Sequence, residues 1–144
     1  MTNVSTNNAQ KGFTLIELLI AITILGILSA VLVPVGMNLV ENSRITGTQS
    51  NLSALESAIT QYQLAVGSWP TRLKDLVIAP SDEKLKKRWS GPYLKKVEVP
   101  EDAWGNNYQY KVSPPGAPHP YELYSFGKNG KGAPKTEWID VWKV

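Results

Sequence analysis

The stretch Lys11-Gly12-Phe13-Thr14-Leu15-Ile16-Glu17-Leu18-Leu19 is where the chain changes character. Before it, Met1 to Gln10 are polar and rich in Asn and Thr, with no apolar run to serve as the core of a secretory signal. After it, Phe13 to Val40 is very rich in apolar residues, and Glu17 is the only charge before Glu41. About 28 residues at a rise of ~1.5 Å span about 42 Å, more than the ~30 Å hydrocarbon core of a bilayer requires. The apolar region of a secretory signal runs only ~7–15 residues. The sequence therefore predicts a membrane helix carried in front of a soluble domain.

Glu17 is the anomaly in that helix. A carboxylate inside a spanning segment costs roughly 2.5–3.5 kcal/mol on insertion scales, and more if it stays unpaired in hydrocarbon. Two readings follow. Either Glu17 lies close enough to the cytoplasmic interface to stay hydrated, as in a plain single-pass anchor, or it is a functional acid that acquires a partner. Lys11, on the amino-terminal side, fits a cytoplasmic start.

The rest of the composition excludes more than it suggests. A chain of 144 residues has room for one small domain and one modest core, not for an enzyme with a separate cofactor domain. It has no cysteine, so the domain must be held by packing or by neighbours. The formal net charge of +3 is scattered rather than gathered into one basic run, so nucleic acid is not the expected partner. The single histidine, His119, sits in the stiff run Pro114-Pro-Gly-Ala-Pro-His-Pro120 with no catalytic motif around it, and no enzymatic activity is expected. The glycines near Gly127 lack the Lys-Ser/Thr of a phosphate loop, which argues against nucleotide binding.

Between Phe13 and Val66 the strong helix breakers are Pro34 and glycines 26, 36 and 47, so the sequence predicts one helix of ~54 residues and ~80 Å. Its first half is apolar all round. In the second half Ile45, Leu52, Leu55, Ile59, Tyr62 and Val66 recur at three-, four- and seven-residue intervals, with Glu41, Arg44, Gln49, Glu56 and Gln61 between them. That is an amphipathic helix with one face against a core. Pro34 removes a backbone donor, and with Gly36 beside it a kink or a locally unwound segment is expected; membrane helices also carry prolines with no special purpose.

Gly67-Ser68-Trp69-Pro70 ends the helix, since glycine suits the C-cap and the residue before proline avoids helical dihedrals. Thr71 to Val77 and Ser81 to Lys87 each open with a plausible N-cap, Thr71 and Ser81, and read as short helices. The charges from Asp82 to Arg88 read as a solvated face. Trp104-Gly105-Asn106-Asn107 reads as a tight turn. Alternation at Tyr108, Tyr110 and Val112, at Tyr121, Leu123 and Ser125, and at Trp138, Asp140 and Trp142 predicts three short antiparallel strands. The fold class is thus α+β: a long N-terminal helix, membrane-spanning in its first half and amphipathic in its second, packed on a small three-stranded sheet.

Lys11 to Leu19 resemble the leader and processing site of type IV pilins and pseudopilins, with Gly, Phe and Glu at fixed spacing directly before an apolar helix. Asp102-Ala103-Trp104-Gly105-Asn106-Asn107-Tyr108 resembles the family's Asp-Pro-Trp-Gly-Asn-x-Tyr stretch, and Tyr124-Ser125-Phe126-Gly127-Lys128-Asn129-Gly130 its Tyr-Ser-Leu-Gly-x-Asp-Gly loop. Trp69-Pro70-Thr71 is similar to the element that ends the long helix in G-type major pseudopilins. The cysteine-free C-terminal half fits the type II secretion pseudopilins better than pilins with a cysteine loop. The resemblance implies a cleaved leader over residues 1–12, a transmembrane and assembly helix over 13–40, and a soluble pseudopilin domain over 41–144. It further implies that a prepilin peptidase cuts after Gly12 and methylates Phe13. Glu17 would pair with the Phe13 amine of an adjacent subunit, and Pro34 would lie where the helix melts on packing into the filament. The implied partners are further copies of the chain in a homopolymer, minor pseudopilins, an inner-membrane platform protein and a secretion ATPase. The implied location is the bacterial inner membrane, single-pass, with the C-terminal domain periplasmic.

The chain also departs from that pattern. G-type pseudopilins usually hold Ca²⁺ in the last loop through carbonyls and several aspartates. Here Asn129 stands where the first acid is expected, Glu137 and Asp140 are the only acids near the later positions, and Lys128, Lys131 and Lys135 lie among them. These three candidate ligands are an acid-poor set, so no cofactor is expected. Ala103 replaces the expected proline. The competing functional reading is another pilin of a surface filament, either an adhesive type IV pilin or a competence pilin that binds DNA, for which Lys86, Lys87, Arg88, Trp89, Lys95 and Lys96 are the candidate patch.

Overall fold

A computed structural model of the chain describes residues 12–143; residues 1–11, where the expected leader falls, and Val144 lie outside the described residues. Helix α1 runs over Leu15–Val66 and contains Pro34. The chain divides between Val40 and Glu41 into two units. In the first, every residue from Gly12 to Val40 is exposed, including Leu18, Ile22, Leu25, Leu32 and Leu39. The helix is long and apolar enough to cross a membrane. The unwound segment expected at Pro34 is not found: helical structure is continuous through it. One proline deletes a single donor, and the helical bonds on either side remain available.

In the second unit the α1 residues Leu52, Leu55, Ala58, Ile59, Tyr62 and Val66 are buried, as the spacing predicts for all but Ala58. Ile45 is only half-buried, and Thr48 is fully buried in its stead. The turn over Ala103 to Tyr108 explains this, because Thr48 Oγ1 accepts from the Ala103 amide at 3.2 Å and Thr48 O from the Tyr108 hydroxyl at 3.4 Å. A hydroxyl at that position satisfies a crossing backbone, as isoleucine cannot.

Gly67, at φ +87°, turns the chain out of α1. A short 3-10 turn follows at Leu73–Leu76, then helix α2 over Glu83–Arg88. Their caps lie one residue later than Thr71 and Ser81. The Asp75 carboxylate accepts from the Arg72 amide at 3.3 Å, and Asp82 Oδ1 accepts from the Lys84 and Leu85 amides at 2.8 and 3.1 Å. A carboxylate meets those orphan donors with a full charge and outcompetes the neighbouring hydroxyls.

Strands β1 (Gln109–Val112), β2 (Tyr121–Ser125) and β3 (Ile139–Asp140) form an antiparallel sheet in the order β1-β2-β3. Tyr110 pairs with Leu123 and Tyr124 with Asp140. Tyr121, Leu123 and Ser125 are buried while Glu122 is exposed. The sheet and the second half of α1 share one core with Leu73, Leu76, Tyr108 and Val141. The third strand is shorter than the alternation predicts. Trp138 lies before it, and Trp142 falls in a 3-10 turn at Val141–Lys143.

Candidate functional site: the start of the long helix and the last loop

At its amino end α1 begins on a reciprocal pair. Thr14 precedes the first helical residue; its amide donates to Glu17 Oε2 at 2.8 Å, while the Glu17 amide donates to Thr14 Oγ1 at 3.3 Å. This is a capping box, in which two of the orphan amides of a helix start are satisfied by side chains three residues apart. Its Thr-x-x-Glu pattern is written in the sequence, but the membrane context draws attention to the charge of Glu17 and away from its capping role. The box folds the carboxylate back onto the Thr14 amide. Phe13 is exposed, and a Cβ placed on Gly12 would meet nothing within 4 Å. Gly12 and Phe13 are thus non-helical and accessible, one turn from the only acid of the apolar segment. Pro34 lies further along the same helix and touches none of this group's hydrogen bonds.

The last loop brings two of the three candidate ligands together. Asn129 Nδ2 donates to Glu137 Oε2 at 2.7 Å. Asp140, in β3, turns elsewhere and accepts from the Trp142 amide at 3.0 Å. Lys128 Nζ lies 3.9 Å from Glu41 Oε2 on α1.

The buried carboxylate of Asp102 was not singled out by sequence reasoning, although it lies in a quoted motif. Asp102 Oδ1 accepts from the Trp104 and Asn106 amides at 3.0 and 2.8 Å, and Oδ2 accepts from Ser125 Oγ at 2.6 Å. Ser125 Oγ in turn accepts from the Gly127 amide at 2.9 Å. With Thr48 beneath, this network ties α1, the 102–108 turn, the end of β2 and the start of the last loop.

The basic candidate patch is differently built from a nucleic-acid surface. Trp89 Nε1 donates to Asp75 O at 2.8 Å, and its ring packs edge-on against Tyr93, which packs edge-on against Tyr62. Arg88 Nη1 lies 3.4 Å from Val66 O, at the end of α1. The aromatic member of the patch is therefore committed to packing, and none stands among the lysines as a platform for bases. His119 stacks on Trp142 with centroids 4.3 Å apart.

Comparison with known proteins agrees with this anatomy. Residues 7–33 match the prokaryotic N-terminal methylation motif, and residues 36–143 match type II secretion system protein G. The chain belongs to the type II secretion system protein G family. A core protein G of Pseudomonas aeruginosa is 39% identical over 136 residues, covering 92% of this chain and 93% of that one. A core protein G of Vibrio cholerae is 32% identical over 143 residues, covering 94% and 93%. Among solved structures, the major pseudopilin from the type 2 secretion system of enterohaemorrhagic Escherichia coli aligns with a TM-score of 0.61 at 26% identity, covering 74% of this chain and 89% of that one. The protein G matches span both the apolar helix and the sheet, and favour the secretion reading over a competence pilin.

Proposed function

We propose that this protein G family member is the major pseudopilin of a type II secretion system, a structural subunit that polymerises into a periplasmic filament and catalyses nothing. The observation that carries the reading is the fully exposed apolar first half of α1, whose single acid is turned back onto Thr14, next to Phe13. Such a surface is stable only when covered, by lipid before assembly and by other copies of the helix within a filament. A prepilin peptidase cuts after Gly12, leaving a methylated ammonium on Phe13. In the membrane the capping box satisfies part of Glu17. In the filament the carboxylate reaches the Phe13 ammonium of a neighbouring subunit, and that pairing offsets the cost of its burial only when subunits are in register. The chain is anchored in the inner membrane, its domain lies in the periplasm, and platform protein, ATPase and minor pseudopilins drive and prime assembly. The packing of Trp89 supports a protein-only filament over a DNA-binding one.

The test is complementation of cells lacking their own major pseudopilin but holding the remaining apparatus. The wild-type chain should restore export and, when overproduced, give sheared fibres. Glu17→Val should be cleaved and inserted normally, because removing the charge eases insertion, yet should give neither fibres nor export. Glu17→Asp, one methylene shorter, should be partly impaired. Fibres of normal yield from Glu17→Val would return Glu17 to the role of an interfacial anchor residue.

A further inference from the structure

We infer that the last loop, from Gly127 to Asp140, closes on an aromatic and amide clasp supplied by the chain itself and needs no calcium. The donor set does not suit that ion. Calcium takes six to eight oxygens with several carboxylates among them. Here the Glu137 carboxylate accepts from the Asn129 amide, and Asp140 Oδ1 accepts from the Trp142 amide. Among the described residues no three His, Cys, Asp or Glu side chains cluster as ligands. Lys128, Lys131 and Lys135 add positive charge to the same loop.

The clasp has its own geometry. Gly127 is held by the Ser125 hydroxyl and takes a φ of +70°, and a Cβ there would lie 3.3 Å from Glu137 O, so the two ends of the loop meet at a glycine. Trp138 then covers the junction. Its ring stacks on Tyr124 at 4.4 Å and 6°, packs edge-on against Phe126 at 5.2 Å, and donates Nε1–H to Ala133 O at 2.9 Å. Lys135 Nζ lies 5.6 Å from the centre of the same ring, a cation–π distance. Lys128, paired with Glu41, fastens the loop to α1. Two of the loop's own ammonium groups thus lie against Glu41 and the Trp138 ring. Exposed ion pairs contribute little, so the aromatic stack carries most of the closure.

The experiment uses the full chain in detergent micelles, with thermal unfolding followed in millimolar CaCl₂ and in excess EDTA. The two midpoints should agree within ~1 °C, and limited proteolysis within Lys128 to Thr136 should be equally slow in both. Trp138→Ala should lower the midpoint by ~5 °C or more under both conditions and expose the loop to protease. Trp138→Phe, which keeps a ring over Tyr124 and loses the bond to Ala133, should fall between, and it reads the same contact if the alanine variant does not fold. A calcium-dependent rise of several degrees, or calcium-dependent protection of the loop, would overturn the inference. So would a Trp138→Ala protein as stable and protease-resistant as wild type. Fibre formation by the wild-type chain tests the pseudopilin reading separately, since a calcium-dependent loop leaves that reading standing.

Discussion

Asp102 shows how much one carboxylate can organise. It is buried among hydrogen-bond donors with no cation bonded to it, and three donors on two elements converge on its oxygens. Charge-assisted bonds of this kind are worth roughly 1.5–3 kcal/mol each, and removing the acceptor strands the donors. Asp102→Ala should therefore destabilise the domain by about 3 kcal/mol or more. Asp102→Asn keeps an oxygen for the two amides but presents an NH₂ to Ser125 Oγ, which already accepts from Gly127. It should cost about 1–2 kcal/mol. Denaturant unfolding of both variants checks the order: equal losses would mean that the two amide bonds contribute nothing, and no loss in Asp102→Asn that the Ser125 contact contributes nothing. Glu17 is the opposite kind of acid, satisfied locally through Thr14 and exposed in the isolated subunit.

Helix α1 is one element with two solvents. Up to Val40 its whole circumference is exposed and apolar; beyond Glu41 only one stripe meets the core. The stripe makes a clean comparison between two leucines, since Leu55 is 0% exposed and Leu64 is 77% exposed. Leu55→Ala should lose ~2–5 kcal/mol, the transfer term plus a cavity between helix and sheet. Leu64→Ala should stay within ~0.5 kcal/mol of wild type in the isolated subunit. Chemical denaturation measures both, and a large loss at Leu64 would mean that the face assignment of α1 is wrong. The short β3 has a related cause. Its flanking tryptophans are used outside the ladder, Trp138 against Tyr124 and Trp142 against His119 and Tyr121.

At the scale of the molecule, the core is rich in tyrosine, and that gives it a characteristic response to base. Burial raises Tyr62, Tyr108 and Tyr110 above the ordinary value and pushes Tyr121 up to about 12, with Glu56 adding to the last. A buried phenol favours its neutral form, so the folded state keeps these protons where the unfolded chain, titrating near ~10, releases them. Their contribution to stability is fully present below about pH 10 and is lost as pH climbs toward 12. Loss of far-ultraviolet dichroism and most of the tyrosinate absorbance should therefore appear together above pH 10. Ionisation of Tyr62, Tyr108, Tyr110 and Tyr121 at about pH 10 while the fold is intact would contradict the burial assigned to them.

The sequence by itself determined the long apolar helix, the amphipathic stripe, the turn at Gly67 and the three strands, because each is a local pattern in which neighbouring residues decide the outcome. It also shows Gly12, Phe13 and Glu17 at a fixed spacing where the apolar helix begins. Tertiary structure alone decided that Thr48 replaces Ile45 on the buried face, that Asp102 reaches Ser125, and that Asn129 meets Glu137 while Asp140 turns away. It also took Trp89 out of the basic patch and into the packing. The Thr48, Asp102 and Trp89 contacts depend on residues far apart in sequence that arrive together only when helix, turn and sheet share one core, whereas Asn129 and Asp140 are settled by how the last loop folds on itself. A buried polar group is settled by whichever donor or acceptor reaches it there, and no local pattern encodes that partner.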